Sequence, residues 1–169
     1  MKTDVLILGG GTSAVAAALA LAEMGVDCII VEETDWIGGQ LTSQAVPSDE
    51  HIWIEQFGCT RRYRQFRNRL RDYYKFYYRL MPGSNADPHL NPGAGYVSPI
   101  CAEPRVIHDV LNSFIAPYRN SERIRILLRY VVVSAESQDN KVQSVSVRNL
   151  ANGNIIEIKA KLFIEATEL

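Results

Sequence analysis

The chain has 169 residues, of which 47% are hydrophobic and 22% charged, and its formal net charge is −1. That length amounts to about one domain. The composition excludes wholesale disorder, and the near-zero charge excludes bulk attraction to nucleic acid or anionic membrane. Cys28, Cys59 and Cys101 are too few and too scattered for a disulfide scaffold or a CxxC zinc site, so a reducing, cytoplasmic setting is expected.

Residues 1–46 open with the apolar run Val5-Leu6-Ile7-Leu8, which reads as a buried strand. Gly9-Gly10-Gly11 stops it, and Thr12 or Ser13 can cap a helix over residues 14–24, rich in Ala and Leu. Gly25 then ends the helix as a left-handed cap, and Cys28-Ile29-Ile30-Val31 is a second buried strand. Strand, helix and strand make a βαβ unit with a right-handed crossover. The longest apolar stretch, residues 14–22, is about half of a membrane span. Asp4 and the three glycines interrupt any signal-peptide core, so neither membrane nor export is expected.

Residues 47–120 carry two helical patterns around a loop. Tyr63, Phe66, Leu70, Tyr73, Tyr77 and Leu80 repeat as one apolar helix face, residues 82–99 are rich in turn formers, and Pro104 suits the first turn of a second helix that Pro117 should end. Along residues 60–80 eight Lys or Arg side chains stand against one acid, Asp72, with seven aromatics between them. Such interleaving can bind nucleic acid, but a buried aromatic stripe with a solvated basic face is the simpler reading, and no nucleic-acid partner is expected. His51 and Glu55, four apart, would share a helix face beside Asp49 and Glu50, without a full metal-ligand set. A surface helix start is the simpler reading of this cluster.

Residues 121–169 read as strands: residues 124–128, then a three-stranded antiparallel meander over 131–135, 142–147 and 155–158, then 162–167. Asp139-Asn140 and Asn152-Gly153 are its turns.

The chemistry sits in Gly9-x-Gly11-x-x-Ala14. Gly9 permits the tight turn, Gly11 lets a pyrophosphate approach the backbone, and Ala14 lets the helix pack close to the strand. The helix N-terminus, beginning at Thr12, offers free N–H groups to phosphate. Glu32, 21 residues after Gly11, ends the second strand, where a carboxylate accepts hydrogen bonds from ribose hydroxyls and repels a 2′-phosphate.

With Ile37-Gly38-Gly39-Gln40-Leu41-Thr42 added, residues 4–42 resemble the N-terminal segment of the glutathione-reductase-like flavoproteins, and more closely the broad FAD-dependent oxidoreductase family. The resemblance implies an α/β fold: a Rossmann-type FAD-binding domain whose parallel sheet, of order 3-2-1-4, carries an antiparallel β-meander and a helical insertion. It implies FAD as cofactor, a small-molecule substrate, and transfer of a hydride or electron pair through the flavin. Gly38 and Gly39 would bring backbone amides to the cofactor, with Gln40, Leu41 and Thr42 beside the ribityl chain and flavin. Val132 would touch adenine through its backbone, and Ala166-Thr167 would lie near the cofactor. Cofactor-binding residues are therefore expected at Gly9, Gly11, Thr12, Ala14, Glu32, Gly38, Gly39, Gln40, Leu41, Thr42, Val132, Ala166 and Thr167; no metal ligand and no catalytic residue is assigned.

Two departures from the family stand out. Residues 40–46 lack cysteine, which excludes disulfide-reductase chemistry through a redox pair there. The family also continues into a substrate domain, whereas this chain stops at Leu169. The expectation is one incomplete FAD-binding domain over 1–169, with 1–46 as nucleotide-binding unit, 47–120 as insertion and 121–169 as third strand, meander and fourth strand. The alternatives are an inactive fragment, or a cofactor-binding subunit that needs a second chain to supply the substrate domain. An NAD-binding dehydrogenase domain is disfavoured by the Gly38-Gly39 loop and the insertion.

Overall fold

Two unbroken apolar runs, residues 5–8 and 28–31, require cover on both faces of a sheet. The structure, a computed structural model that describes residues 1–168, supplies that cover; Leu169, the chain end noted above, lies outside the described residues. Strands β1 (Lys2–Leu8), β2 (Cys28–Glu32) and β3 (Ile124–Leu128) pair in parallel, and β4 (Tyr130–Gln138), β5 (Lys141–Asn149) and β6 (Ile155–Glu165) complete a six-stranded sheet of order β3-β2-β1-β6-β5-β4. Helices α1 (Thr12–Glu23), α2 (Arg61–Tyr77) and α3 (Pro104–Asn120) pack on one face.

Alternation along the strands decides which layer each residue joins. Val5, Ile7, Cys28 and Ile30 point into the core formed with the helices, including Ala14, Ala18, Leu70, Val110 and Ile115. Leu6, Leu8, Ile29 and Val31 point the other way, where Val145, Val147 and Ile158 of the meander bury them. The expected parallel order 3-2-1-4 is present, with the C-terminal half of β6 as the fourth strand.

Several expectations need correction. The meander's third strand and the fourth parallel strand are one continuous strand: residues 155–159 of β6 pair antiparallel with β5, and residues 159–165 pair parallel with β1. No turn former separates Ile158 from Leu162, so nothing breaks the strand. Helix α1 begins at Thr12 with Gly11 as its N-cap and no side-chain cap. Pro117 lies inside α3, one turn before its end; the carbonyl of Ser113 loses its helical donor there, and the helix continues to Asn120. Residues 51–59 form turns instead of a helix start, so His51 and Glu55 share no helix face. His51 instead packs on Gly58, with its Nδ1 accepting the N–H of Trp53 at 3.2 Å.

The basic face of α2 is also not uniformly solvated. Arg67 is fully buried and Arg71 nearly so, one helical turn apart. Arg67 bridges Glu50 and Glu55, and Arg71 pairs with Glu55 at 2.5 Å while its Nε donates to the Leu90 carbonyl at 2.9 Å. Glu50 also accepts the Tyr63 hydroxyl at 2.6 Å, and His89 Nδ1 lies 3.2 Å from Glu55. This cluster ties the loop after residue 46 and the loop before α3 to one side of α2. Phe66, Leu70 and Tyr74 form the buried apolar stripe beside it, while Tyr77 is exposed and Leu80 lies beyond the helix end.

The cluster makes the fold acid-sensitive. Burial of Glu55 opposes its charge, but hydrogen bonding from Arg71 and the charges of Arg67 and Arg71 outweigh it and hold its pKa at about 2, against an ordinary 4.5. A pKa depressed on folding stabilises fully above the unfolded value, and that stabilisation is lost as pH falls from about 4.5 toward 2. Arg67→Met, which leaves the buried Glu50 carboxylate without its cation and Glu55 with Arg71 but without Arg67, should cost about 3–5 kcal/mol near neutral pH. Glu55→Gln should lose stability near neutral pH and flatten the decline between pH 4.5 and 2. Thermal melts across that range decide the point: an unchanged acid profile in Glu55→Gln would remove Glu55 from the account.

Candidate functional site

The C-terminal ends of β1, β2 and β6 meet at the glycine run. Gly9 N–H donates to the Val31 carbonyl at 2.8 Å, and Ala166 N–H donates to the Leu8 carbonyl at 2.7 Å. Gly9 has φ +96°, and a Cβ there would strike the Ala166 backbone carbonyl. Gly10 faces the acid: its N–H donates to Glu32 Oε2 at 2.6 Å. Gly11 caps α1 without a side chain, so the first-turn N–H groups stay free at a helix end that carries partial positive charge.

Glu32 is buried to 7% exposure at the end of β2. Its second carboxylate oxygen accepts the N–H of Thr34 at 2.7 Å. Each oxygen therefore holds one backbone donor and keeps acceptor capacity for another. The wall opposite comes from the start of β4. Arg129 turns the chain there with φ +61°, and its N–H donates to the Thr34 carbonyl at 3.2 Å. That corner sets Tyr130, Val131 and Val132 beside Glu32.

The Gly38-Gly39 doublet closes a third side. Both glycines have positive φ, +109° and +47°, and Gly38 N–H donates to the Gly10 carbonyl at 2.7 Å. Thr42, 1% exposed, turns its hydroxyl to the Ile37 carbonyl at 2.8 Å, which braces the doublet from below. Trp36 stacks on His108 of α3 with ring centroids 5.1 Å apart and holds the chain between Glu32 and the doublet.

These parts enclose a cavity of about 240 Å³, lined by Gly9, Gly10, Gly11, Val31, Glu32, Glu33, Thr34, Gly39, Ser43, Gln44, Tyr130, Val131, Val132, Thr167 and Glu168. Its ionisable side chains include three acids and no Lys or Arg. An anion bound here is held by backbone N–H groups and the α1 dipole, without a side-chain cation. A second cleft of about 420 Å³ adjoins it, lined by Thr12, Ser13, Gln40, Leu41, Ser48, Asp49 and Tyr63. Among the described residues, no group of three or more His, Cys, Asp or Glu is placed to hold a metal ion. No helix among them is long and apolar enough to cross a membrane.

Of the residues singled out from the sequence, Gly9, Gly11, Glu32, Gly39, Val132 and Thr167 line the first cavity. Thr12, Gln40 and Leu41 line the second. Ala14, Gly38, Thr42 and Ala166 line neither: Ala14 is fully buried in the first turn of α1, and the other three brace the turns by the contacts above. The Thr167 hydroxyl is spent on Glu165, which accepts it at 2.5 Å. Gly10, Thr34 and Glu168 were missed. Gly10 was visible as the middle glycine of three; Thr34 and Glu168 gain their roles from tertiary contacts that no local pattern announces.

The chain matches, over residues 4–169, the family described as FAD dependent oxidoreductase. Among solved structures it is similar to Mycobacterium smegmatis Sdh1 in the apo form, at 18% identity and TM-score 0.60, covering 98% of this chain and 34% of that one. It is similar to the rebeccamycin biosynthetic enzyme RebC with reduced flavin, at 21% and 0.57, covering 98% and 32%. A geranylgeranyl bacteriochlorophyll reductase-like protein from Thermoplasma acidophilum matches at 19% and 0.55, covering 98% and 39%. Identities this low speak for the fold alone. The chain spans about a third of the length of the structures it matches.

The close approach at Gly9 is open to test. Gly9→Ala meets both a left-handed backbone and the Ala166 carbonyl, whereas Gly153→Ala, at φ +75° with open space around it, meets backbone strain alone. The Gly153 variant should lose about 1–3 kcal/mol, and the Gly9 variant clearly more. Equal losses in urea melts would mean that the β1–β6 contact does not constrain the turn.

Proposed function

The chain belongs to the family of FAD dependent oxidoreductases, FAD is its cofactor, and on that premise we propose that its own residues hold the adenosine and pyrophosphate half of FAD in the cavity between Gly9, Glu32 and Val132. The observation that carries the reading is the meeting of three separate segments, the glycine turn, the acid at the end of β2 and the start of the meander, around one cavity. At about 240 Å³ it falls below the roughly 300–1,000 Å³ of sites for whole drug-sized ligands, which suits part of a dinucleotide. The glycine surfaces fit a pyrophosphate, since a side chain at Gly11 or Gly39 would enter the space where the Glu168 carboxylate now lies.

In this reading Glu32 accepts the ribose hydroxyls with the lone pairs its backbone donors leave free, and its charge disfavours a 2′-phosphate. Gly11 and Gly39 admit the pyrophosphate to the free N–H groups of α1. Val132 meets adenine through its backbone, and Gln40 and Leu41 border the adjoining cleft where the ribityl chain and flavin would run. Thr42, Gly38, Ala14 and Ala166 hold those surfaces in place without touching the ligand. FAD, when bound, supplies hydride or electron-pair transfer; the protein binds and orients it. Residues 1–46 and 121–169 form the nucleotide-binding unit in this proposal, and 47–120 the insertion that braces it. The whole protein oxidises or reduces a small molecule, and the substrate surface is completed by a further domain or a second chain.

An FAD titration followed by flavin fluorescence and equilibrium dialysis tests the assignment. Glu32→Ala should weaken binding at least about tenfold, the loss of hydrogen bonds to a charged acceptor, with the fold checked by circular dichroism. Undiminished affinity in a folded Glu32→Ala protein would remove the ribose contact, and absence of any FAD binding by the unaltered chain would remove the adenosine-site assignment.

A further inference from the structure

We propose that Glu168 is a built-in competitor for the cofactor's pyrophosphate: its carboxylate rests in the glycine cradle and has to leave before a phosphate can enter. The inference rests on the FAD-binding reading above and adds to it a control on affinity.

The carboxylate lies between two glycines from opposite sides of the cavity. A Cβ on Gly11, at the N-cap of α1, would collide with it, and so would a Cβ on Gly39, in the doublet turn. The same carboxylate is thus the atom group that both glycines' missing side chains make room for. It is also held: Gln44 Nε2 donates to Glu168 Oε2 at 2.8 Å. The backbone behind it is tethered, because Thr167 gives both its N–H and its hydroxyl to Glu165 Oε1, at 2.8 and 2.5 Å. Glu168 therefore reaches into the cradle from a defined stem.

The electrostatics favour this resting place. The cavity's charged side chains include Glu32, Glu33 and Glu168 and no cation, so the free N–H groups of α1 are its electropositive feature. A carboxylate and a phosphate compete for the same helix end because both are anions with acceptor oxygens. Glu168 remains solvent-exposed, so it can swing out without breaking the core. Gln44 then changes partner, from the Glu168 carboxylate to an incoming phosphate oxygen. The apparent dissociation constant rises by the reciprocal of the fraction of chains with the cradle open. Once displaced, the tethered charge still repels the bound anion.

The experiment compares the unaltered chain with Glu168→Gln and Glu168→Ala, using FAD, ADP and adenosine as probes in equilibrium dialysis. Glutamine keeps the shape and loses the charge, and alanine loses both. Both variants should bind FAD and ADP about tenfold tighter, as expected for a cradle about 90% closed in the unaltered chain. Adenosine, which brings no phosphate, should bind all three proteins alike. FAD binding that is equal in all three would overturn the competitor role and leave the flavin reading standing. Equal tightening for adenosine would also overturn it, by showing a general loosening of the site. No FAD or ADP binding by any of the three would overturn both readings together.

Discussion

The close backbone approach at Gly9 is the constraint from which the rest of the arrangement follows. One residue lets β1 end against β2 through the Val31 carbonyl and against β6 through the Ala166 carbonyl. With those contacts made, the next two glycines have no freedom of place: Gly10 must face Glu32, and Gly11 must start α1 with its amides toward the cavity. The doublet at Gly38-Gly39 is then fastened to the same point through the Gly10 carbonyl. Four chain segments meet within one turn because three successive residues lack a side chain.

The sheet can hold this point still because it is covered on both faces. Helices cover one side and the meander the other, so β1 and β2 are apolar at every central position. The insertion is fastened differently. Its loops put Leu90 and Ile100 into the helix-side core and are also tied to α2 by buried charge, with Arg67 and Arg71 answering Glu50 and Glu55. Buried ion pairs of this kind contribute little net stability against an apolar replacement, but losing one partner is costly.

What the sequence made legible was what local chemistry determines. The turn at Gly9, the cap at Gly25, the acid at Glu32 and the hairpin at Asp139-Asn140 each need only their neighbours to be read, and the structure shows the positive φ values that the turns require. The layer order followed from apolar runs too continuous for a half-exposed sheet. The burial of Arg67 and Arg71 was not legible, because the deciding carboxylates arrive from an irregular loop with no periodicity. Neither was the place of Glu168, which depends on two glycines more than a hundred residues away in sequence. Pro117 misled for a simpler reason: a proline in the last turn of a helix removes a single bond, and the packing of Phe114 and Ile115 carries the helix past it.

The continuity of β6 has a wider bearing. Its first half is paired in the meander and its second half against β1, with Lys159 matched to both Ser144 and Lys2. A strand shared in this way acts as a ruler. Because side chains alternate, a slip of one residue would turn every inward position outward, and here it would do so in both layers together. The meander, which lies at the far edge of the sheet, therefore sets the alignment of Ala166 against Gly9. An insertion or deletion in the surface hairpins can be absorbed locally, whereas one inside residues 155–165 would shift the glycine turn itself.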